Sequence, residues 1–464
     1  MIEKFKKNYI ENNRYLFIVT SIMYGLCFLF QKPHGDDVNY YMVESGLLSE
    51  IVYKVLLLTK GIYTTVTNLY VMYIINAPMV LFIVIMMLTM YLLLNSLREL
   101  LSKNHKYEWY LNAFIAFSAC TYSFVDYASS GWINASTSYF IPTVFIVTSL
   151  IPIKRLLKNE PIKKIEYPLF FISTYLGADN PQGTVILLFL YLITVIYMIV
   201  NKKINPYIIV LFLLTVFDLL LVFTSKRYEV RTINETVKRF PTMGMFNLIS
   251  KIELGVFTTI RWIFFGDHTI AFTAMILFSV LLFSKYKNIS IRILSLLPLP
   301  ICFLFKDYIN SNLSINAYDL TVTEFGSSNY GLFNLESVFR IDTFIQYIIM
   351  CGLMIIIVYE IYLLIDKTED LIIVMALLAA GFGSRMMMAF TPTVFASHLR
   401  PFIYLGYMII ISMIKIYSIN IHLLNKKNAN SIVILSVIGI IINLSYFFVY
   451  VYNYMGHSIF EIFR

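Results

Sequence analysis

The chain has 464 residues, of which 59% are hydrophobic and 14% are charged, and its mean hydropathy is +0.74. This composition excludes an ordinary soluble domain and predicts an integral membrane protein. The formal net charge is +9, but the basic residues fall in short clusters between apolar segments, where they act as signals of membrane orientation. We therefore expect contact with membrane lipids and no nucleic-acid partner.

Apolar segments of near-bilayer length alternate with polar loops and predict an all-α, polytopic membrane protein with about 11–13 transmembrane helices. No internal repeat occurs, and no polar stretch is long enough for a soluble domain, so residues 1–464 are expected to form a single transmembrane domain. No small-residue cleavage site follows the first apolar segment, which we interpret as a retained helix. The candidate helices lie approximately at residues 15–30, 70–94, 110–126, 139–153, 167–178, 184–200, 206–224, 268–284, 293–305, 343–365, 371–390, 401–417 and 432–452.

Lysines and arginines are concentrated in alternate loops, and this asymmetry predicts a multi-pass protein of the cell membrane whose N-terminus is cytoplasmic. The loops of the other set are expected to face outward. The cytoplasmic set comprises Lys4, Lys6, Lys7, Arg14, Arg98, Lys103, Lys106, Lys154, Arg155, Lys158, Lys163, Lys164, Lys202, Lys203, Lys285, Lys287, Arg292, Lys415, Lys426 and Lys427.

Three long outward loops are predicted, at about residues 31–69, 225–267 and 306–342. In the first, apolar residues between Val38 and Asn68 recur at roughly helical spacing among acidic and basic residues. This pattern indicates an amphipathic helix that lies on the outer leaflet. A second interfacial helix is predicted from Met243 to Phe265.

An acidic pair follows the first apolar segment closely, in the sequence His34-Gly35-Asp36-Asp37. Adjacent carboxylates are costly in hydrocarbon, so a short tether to the first helix must hold them at the water boundary. This is a suitable place for a catalytic base. The alternative is that Asp36 and Asp37 cap a helix or are simply solvated loop acids.

Two arginines late in the chain are not explained by the cytoplasmic charge pattern. Arg385 interrupts an apolar helix near its outer end, and Arg400 opens the next helix. Each is a candidate to bind an anionic group, or to extend its head group to the outer interface. A second outward basic cluster, formed by Arg227, Arg231 and Arg239, is either a solvated loop or an anion site.

Other outward polar residues have both functional and structural interpretations. Trp132 and Tyr139 fit either an aromatic belt at the interface or a platform for the ring of a ligand. The sequence Asp179-Asn180-Pro181-Gln182 separates two short apolar segments and predicts a tight outward turn. Asp218 is a lone carboxylate within an apolar segment, a functional candidate to which we assign no role.

The sequence contains no glycine-rich phosphate loop and no histidine spacing typical of a metal site. Its four cysteines, Cys27, Cys120, Cys302 and Cys351, lie in or beside apolar segments without paired spacing. They indicate neither a disulfide framework nor a zinc site. We therefore predict no metal ligands and no cofactor, with a requirement for a divalent cation left open.

An acidic pair in the first outward loop, followed by an amphipathic interfacial segment, resembles the GT-C class of membrane glycosyltransferases. More closely, the motifs are similar to those of a bacterial family of uncharacterised multi-spanning membrane proteins related to that class. The resemblance covers nearly the whole chain and rests on Gly35-Asp36-Asp37, residues 131–139 with Pro142, residues 179–183, Ser384-Arg385, Thr391-Pro392 and His398-Leu399-Arg400. The chain departs from the family pattern at Asn180 and Gln182, where an acid is expected, and at Ala135, where a glycine is expected.

The resemblance implies an enzyme that transfers a sugar from a polyprenyl-phosphate donor to a glycan or lipid-linked acceptor at the outer face. It further implies little or no dependence on a metal ion. Asp36 or Asp37 would act as the general base. Arg385, Arg400 and His398 would bind the donor phosphate, whose negative charge grows as it leaves. The residues implied in binding sugar or acceptor are His34, Trp132, Asn134, Tyr139, Asp179, Asn180 and Gln182.

Two other functions compete with a glycosyltransferase. A polysaccharide polymerase or ligase would also be polytopic with outward arginines, and the long loops from Ser225 to Gly255 and from Lys306 to Asp342 favour it. A transporter or flippase of lipid-linked sugars would show interrupted helices paired between two halves, and charges near mid-membrane. Of these features the sequence shows only Asp218.

Overall fold

Helices make up most of the described part of the chain, and no β-strand occurs in that part. The predicted all-α fold is thereby confirmed. The computed structural model describes residues 12–28, 79–103, 105–122, 136–224, 226–266, 269–312, 341–394, 400–424, 434–435, 437–446 and 449.

The α-helices lie within or beside the predicted apolar segments, apart from α9, which is polar, and α10, which lies in the predicted interfacial helix. In chain order they are α1 (Tyr15–Cys27), α2 (Met79–Leu101), α3 (Glu108–Cys120), α4 (Ile141–Ser149), α5 (Ile151–Leu157), α6 (Glu166–Ala178), α7 (Pro181–Val200), α8 (Pro206–Thr224), α9 (Lys226–Arg239), α10 (Leu248–Ile260), α11 (Thr269–Lys285), α12 (Ile289–Leu296), α13 (Pro298–Asn312), α14 (Ile341–Leu364), α15 (Thr368–Met386), α16 (Phe402–Asn420) and α17 (Val437–Tyr446). Short π-helical or 3₁₀-helical turns adjoin several of them, at Ser136–Phe140, Pro241–Met245, Arg261–Phe265, Met387–Phe390 and Ile421–Leu423.

Seven helical segments among the described residues are long and apolar enough to cross a membrane. They are Val80–Leu101, Ser136–Leu157, Pro181–Val200, Ile289–Asn310, Phe344–Leu364, Thr368–Phe390 and Phe402–Leu423. Apolar side chains on their outer faces, such as Leu88, Ile199 and Ile355, are exposed, as expected where a helix contacts lipid. These helices indicate a multi-pass membrane protein.

The predicted outward loop at residues 225–267 is helical over much of its length. α9 occupies part of it, because Arg231, Glu235 and Arg239 follow one another at a spacing of four residues that favours a helix. α10 follows, where the side-chain oxygen of Asn247 accepts a hydrogen bond from the Ser250 N–H at 2.8 Å and caps the helix. α10 and α11 are bent by 73° relative to each other. A helix over most of Met243 to Phe265 is thus confirmed, and its position on the outer leaflet stays a prediction.

The helix ends on one side of the bundle are joined by charged side chains. Ion pairs connect Arg98 with Glu108, Lys154 with Glu160, Lys285 with Asp366, and Lys415 with Asp370. We call this side, which carries the turns α2–α3, α5–α6, α11–α12 and α14–α15, the basic end. Those cations of the predicted cytoplasmic set that form these ion pairs therefore lie at one end of the fold.

Two loop residues at the basic end show how its cations act on their neighbours. Burial, together with the nearby ammonium groups of Lys158 and Lys415, lowers the pKa of His105. The hydrogen bond from Lys154 to Glu160 lowers the pKa of that carboxyl, although Glu160 is only partly buried.

Arg155 makes the most buried of the described ion pairs at the basic end. Its guanidinium lies 3.0 Å from Glu99 of α2 and binds both carboxylate oxygens of Glu166 of α6. Glu99 also binds Lys103 at 2.6 Å. The network therefore ties α2, α5 and α6 together.

Replacing Arg155 with methionine is expected to lower the free energy of unfolding by about 3 kcal/mol, because two carboxylates then lose their shared cation in a poorly solvated place. The matched control is Lys103→Met, which removes a more exposed cation from the same Glu99 and is expected to cost about 0.5 kcal/mol. Denaturant titration in micelles measures both variants. Equal losses in the two would show that the Arg155 network does not hold these helices together.

α16 is the central helix and fixes the position of the residues that precede it. Its residues are buried almost without interruption from Phe402 to Tyr417. Gly381 of α15 lies against Met408, and Gly406 of α16 lies against Tyr122, so closely that a Cβ atom at either glycine would overlap its neighbour. The start of α16, next to Arg400, is therefore held firmly against α15.

Candidate functional site

The structure describes half of the predicted site residues. His34, Asp36, Asp37, Trp132, Asn134 and His398 lie outside the described residues, so their roles stay predictions. Tyr139, Asp179, Asn180, Gln182, Arg385 and Arg400 are described, and all six lie at the end of the bundle opposite the basic end. Along α15, Arg385 is roughly 22 Å from Asp370 at the basic end.

The turn between α6 and α7 is as tight as the sequence predicts. Asp179 ends α6, and Asn180 caps α7 by accepting a hydrogen bond from the Gln182 N–H at 3.0 Å. Pro181 occupies the first position of α7, where a missing N–H costs nothing. The Thr184 hydroxyl donates to the carbonyl oxygen of Ala178 at 2.6 Å. Residues within the turn thus favour this conformation.

Gly183 allows α6 and α7 to approach closely behind the turn. A Cβ atom at Gly183 would overlap the backbone carbonyl of Gly177 and would lie 3.0 Å from a side-chain carbon of Ile146. Backbone cannot move aside as a flexible side chain can. The position of Asp179 and Asn180 therefore depends on this glycine.

Gly183→Ala is expected to lower the free energy of unfolding by about 1–3 kcal/mol, the usual cost of overpacking. Gly352→Ala is the control, because nothing lies within 4 Å of a Cβ at Gly352. In that exposed helical setting alanine is expected to be neutral or to stabilise by up to about 1 kcal/mol. Thermal unfolding in micelles compares the two. Unchanged stability of Gly183→Ala would contradict the close contact with Gly177.

Gln182 connects the turn to the two helices that carry the candidate arginines. Its side-chain amide nitrogen donates to the carbonyl oxygen of Ser384 at 3.1 Å and to that of Pro401 at 3.3 Å. Ser384 precedes Arg385, and Pro401 follows Arg400. The amide of Gln182 therefore fixes the backbone beside both arginines, and its predicted contact with a sugar stays a prediction.

Asn180 and Tyr139 bring the π-helical turn before α4 to the same place. The side-chain nitrogen of Asn180 donates to the carbonyl oxygen of Ser138 at 3.5 Å. The ring of Tyr139 lies 6.2 Å from the ring of Tyr404 on α16. Four separate segments of the chain thus meet at the predicted site.

Arg385 is a fully buried cation at this end of the bundle. Its side chain is 1% exposed, and one face of its guanidinium lies over the ring of Phe402 at 4.4 Å. Nη2 donates a long hydrogen bond, 3.5 Å, to the carbonyl oxygen of Val394. Nε and Nη1 have no hydrogen-bond partner in the described part of the chain. Burial of an unpaired guanidinium costs several kcal/mol, so a group that binds anions is the physical interpretation.

The surroundings of Arg385 favour an oxyanion with planar or tetrahedral geometry. The one N–H group of Nε and the two N–H groups of Nη1 are unoccupied within the described residues, and Phe402 closes one face of the guanidinium. A phosphate or carboxylate accepts parallel hydrogen bonds from such a fork. The hydroxyl of Ser384 is also buried and without a described partner, so another donor lies beside the arginine.

No protein-family model, curated protein or solved structure matches this chain.

Among the described residues, no group of three or more histidine, cysteine, aspartate or glutamate side chains has the arrangement of a metal site.

Asp218 has the clearest functional signature of the remaining acids. It is 1% exposed on α8, and neither carboxylate oxygen has a partner in the described chain.

Sequence reasoning missed two further buried acids. Glu253 of α10 accepts a hydrogen bond from the hydroxyl of Tyr347 on α14. Glu253 is two residues before Gly255, which packs on the backbone of Met386. Glu360 of α14 is 0% exposed, and its carboxylate oxygens have no partner in the part of the chain described. A lone acid in an apolar segment, the signal that identified Asp218, was also present for Glu360.

Proposed function

We propose that the chain is a GT-C-like membrane glycosyltransferase, which transfers a sugar from a polyprenyl-phosphate donor to a cell-surface glycan acceptor. The observation that supports this most is the buried guanidinium of Arg385, whose Nε and Nη1 lack partners in the described residues. It lies near the end of a membrane helix, the depth at which a lipid-linked phosphate presents its charge. Structural roles for arginine normally satisfy more of its five donors.

In the proposed reaction an acceptor hydroxyl attacks the anomeric carbon of the donor sugar, and the bond from that carbon to the phosphate oxygen breaks. Asp36 or Asp37 accepts the hydroxyl proton. Arg385 stabilises the negative charge that develops on the departing phosphate. This stabilisation lowers the activation free energy most in a site that excludes water. Arg400, which opens α16 beside the Gln182 contact, and His398 complete the phosphate site in this proposal.

The orientation in this proposal places the basic end in the cytoplasm and the Arg385 end outside, with about 11–13 crossings in all. The bent pair of α10 and α11 and the shorter apolar helices α1, α8 and α17 supply the crossings beyond the seven long ones. An enzyme that uses a carrier lipid at the outer face needs this orientation.

Cysteine labelling in intact cells is expected to confirm the orientation. In a background with Cys351→Ser, which removes the exposed native thiol, Asn39→Cys should react with a membrane-impermeant maleimide and Asn104→Cys should not. The opposite labelling pattern would overturn both the topology and the outward mechanism, because the acidic pair would then face the cytoplasm.

The direct test of function uses purified protein in proteoliposomes supplied with a panel of polyprenyl-phosphate sugars and glycan acceptors. We expect at least one donor to lose its sugar to an acceptor, with release of free polyprenyl phosphate in equal amount. Free polyprenyl phosphate should inhibit the reaction by competing for Arg385. Absence of transfer with every donor, together with absence of binding of the free carrier, would exclude the proposed function.

A flippase of lipid-linked sugars is the second candidate, and the buried acids favour it. Asp218 and Glu360 are both unpaired among the described residues, and proton-coupled transporters carry such acids in their membrane helices. A flippase moves an intact lipid-linked sugar between leaflets, whereas a transferase cleaves it. Recovery of intact donor that has crossed the bilayer would favour this candidate.

A further inference from the structure

The polar helix α9 exposes apolar side chains and partly buries polar ones. Ile233 is 57% exposed and Val237 is 73% exposed, and the four-residue interval between them places both on one face of the helix. Glu235 and Thr236, which lie between them in sequence, are partly buried. A helix at a water-exposed surface has the opposite pattern, with its apolar face on the protein and its polar face in solvent. The exposed face of α9 therefore suits contact with lipid and not with water.

The sequence of α9 divides into an apolar stripe and a cationic stripe. Valine or isoleucine occupies positions 230, 233 and 237, which fall on one face of a helix. Three of the five cations follow one another on the adjacent face, roughly 110° round the helix axis, at positions 227, 231 and 238. Helices that lie in the plane of a membrane have this arrangement, because the apolar side enters the acyl boundary and the cations lie among the headgroups.

α9 begins where the apolar helix α8 ends. α8 starts at the basic end, where the Tyr207 hydroxyl donates to the carbonyl oxygen of Tyr167. Its 19 residues rise roughly 28 Å, close to the thickness of a bilayer hydrocarbon core, about 30 Å. One residue separates Thr224, the end of α8, from Lys226, the start of α9. α9 therefore starts at the membrane boundary opposite the basic end, within reach of lipid headgroups.

The other end of α9 enters a small apolar cluster beside Arg385. The Phe240 N–H donates to the carbonyl oxygen of Thr236 at 3.0 Å and extends the helix by one residue. The Val394 carbonyl oxygen, in the same cluster, accepts the hydrogen bond from Arg385. The buried members of this cluster are Phe240, Met243, Leu254, Met388, Ala389 and Val394. Buried apolar contacts thus join α9 to the surroundings of Arg385.

We propose that α9 is an interfacial helix that binds the anionic lipid surface at the Arg385 end and thereby holds the apolar cluster in place. The acyl boundary of that leaflet covers the exposed stripe, which removes Ile233 and Val237 from water. α9 carries five cations and two acids, and this excess of positive charge selects anionic headgroups. The placement of α9 is independent of the proposed sugar transfer. Only its consequence for the binding of a carrier phosphate rests on the proposed function.

Spin labels on single cysteines test whether lipid covers the stripe. The full chain with Cys351→Ser, which leaves only buried native cysteines among the four, is placed in nanodiscs of phosphatidylcholine and phosphatidylglycerol. Labels at Ile233→Cys and Val237→Cys should collide more with oxygen, which dissolves in lipid, than with a water-soluble nickel chelate. Ile355→Cys, at a 69% exposed position on α14, is the lipid reference, and Lys238→Cys, at an exposed position on α9, is the water reference.

Two results would overturn the interfacial helix. Nickel accessibility at positions 233 and 237 equal to that at position 238 would place the stripe in water. Exclusion of both reagents from these positions would mean that protein, such as a second copy of the chain, covers the stripe. Neither result bears on Arg385 or on sugar transfer, so failure of this proposal is distinguishable from failure of the proposed function.

Nanodiscs of phosphatidylcholine alone test the selection of anionic headgroups. Each cation of α9 that loses an anionic surface should shift the equilibrium between inserted and released helix by about 5-fold. The ratio of oxygen to nickel accessibility at Val237→Cys should therefore fall, while that at Ile355→Cys stays the same. An unchanged ratio at position 237 would show that charge has no part in the binding of lipid by α9.

A label at Gly244→Cys tests whether lipid contact holds the cluster in place. Gly244 lies in the turn Pro241–Met245, and nothing lies within 4 Å of a Cβ atom there. Ile233→Asp puts a charge on the apolar stripe and should increase the mobility of this label. Asn234→Asp, which puts the same charge on the neighbouring exposed position, should leave the mobility as in wild type. Phosphatidylcholine alone should increase the mobility in the unsubstituted helix, and equal mobility under all these conditions would overturn the connection between α9 and the cluster.

Discussion

Replacement of Arg385 with lysine is expected to lower sugar transfer by about 100- to 1,000-fold, the usual loss when one preorganised donor to a developing oxyanion is removed. Lysine keeps the charge but loses the planar fork that binds two phosphate oxygens at once. Arg292→Lys is the matched control, because its guanidinium donates to the carbonyl oxygen of Tyr286 at the basic end and has no part in the proposed chemistry. Its turnover should equal that of wild type.

Arg385→Met separates a binding role from a structural one. Replacement of a buried cation whose hydrogen bonds are incomplete by an apolar side chain of similar volume is often neutral or stabilising. We therefore expect the melting temperature of Arg385→Met to equal or exceed that of wild type, while transfer is lost.

Wild-type turnover in Arg385→Lys would identify Arg385 as an anchor, and the phosphate site would then be sought among Arg227, Arg231 and Arg239.

The burial of Arg385 already argues against a role in anchoring. A snorkelling arginine places its guanidinium in water at the interface, whereas this one is 1% exposed and lies over the ring of Phe402. Burial of this guanidinium lowers the stability of the fold, so we expect a functional role to compensate for that loss. Under the proposed function, a bound anion would supply that compensation by providing the partners that Nε and Nη1 lack among the described residues.

Asp36→Asn and Asp37→Asn are expected to keep normal expression, and at least one should reduce transfer by about 100- to 10,000-fold through loss of the general base. If the pair instead caps a helix, the same changes would cost about 1 kcal/mol of stability and little activity. Turnover at saturating donor, measured beside the melting temperature, distinguishes the two cases. Full activity in both variants would remove the acidic pair from the mechanism.

The apolar segments predicted most helix positions, but they misplaced several helix ends. The second segment was predicted to end at residue 94, whereas α2 continues to Leu101. The polar residues that lower the hydropathy there are satisfied by distant partners: Asn95 accepts from Arg14, and Ser96 shares a hydrogen bond of 2.9 Å with Thr148. α16 likewise runs to Asn420, whose amide donates to the Leu364 carbonyl at 3.1 Å. Local hydropathy carries no information about such partners.

The candidate site shows the same division between local and distant signals. The turn at Asp179 to Gln182 was predictable because Asn180 and Pro181 act on the backbone beside them. The contacts of Gln182 with Ser384 and Pro401 were not, because nothing in a single sequence links these positions. Glu360 was not predicted, although it stands as a lone charge in an apolar segment in the same way as Asp218.

The two hydrogen bonds of Gln182 span 202 and 219 residues of sequence. Because a chain is synthesised from its N-terminus, α7 enters the bilayer long before α15 and α16 exist to receive that amide. During this interval the turn between α6 and α7 can form, although Arg385 and Arg400 have not yet been synthesised. The surroundings of Arg385 are accordingly completed late in biogenesis, and a chain that stops before Ser384 would insert α7 without forming the contacts that Gln182 makes with α15 and α16.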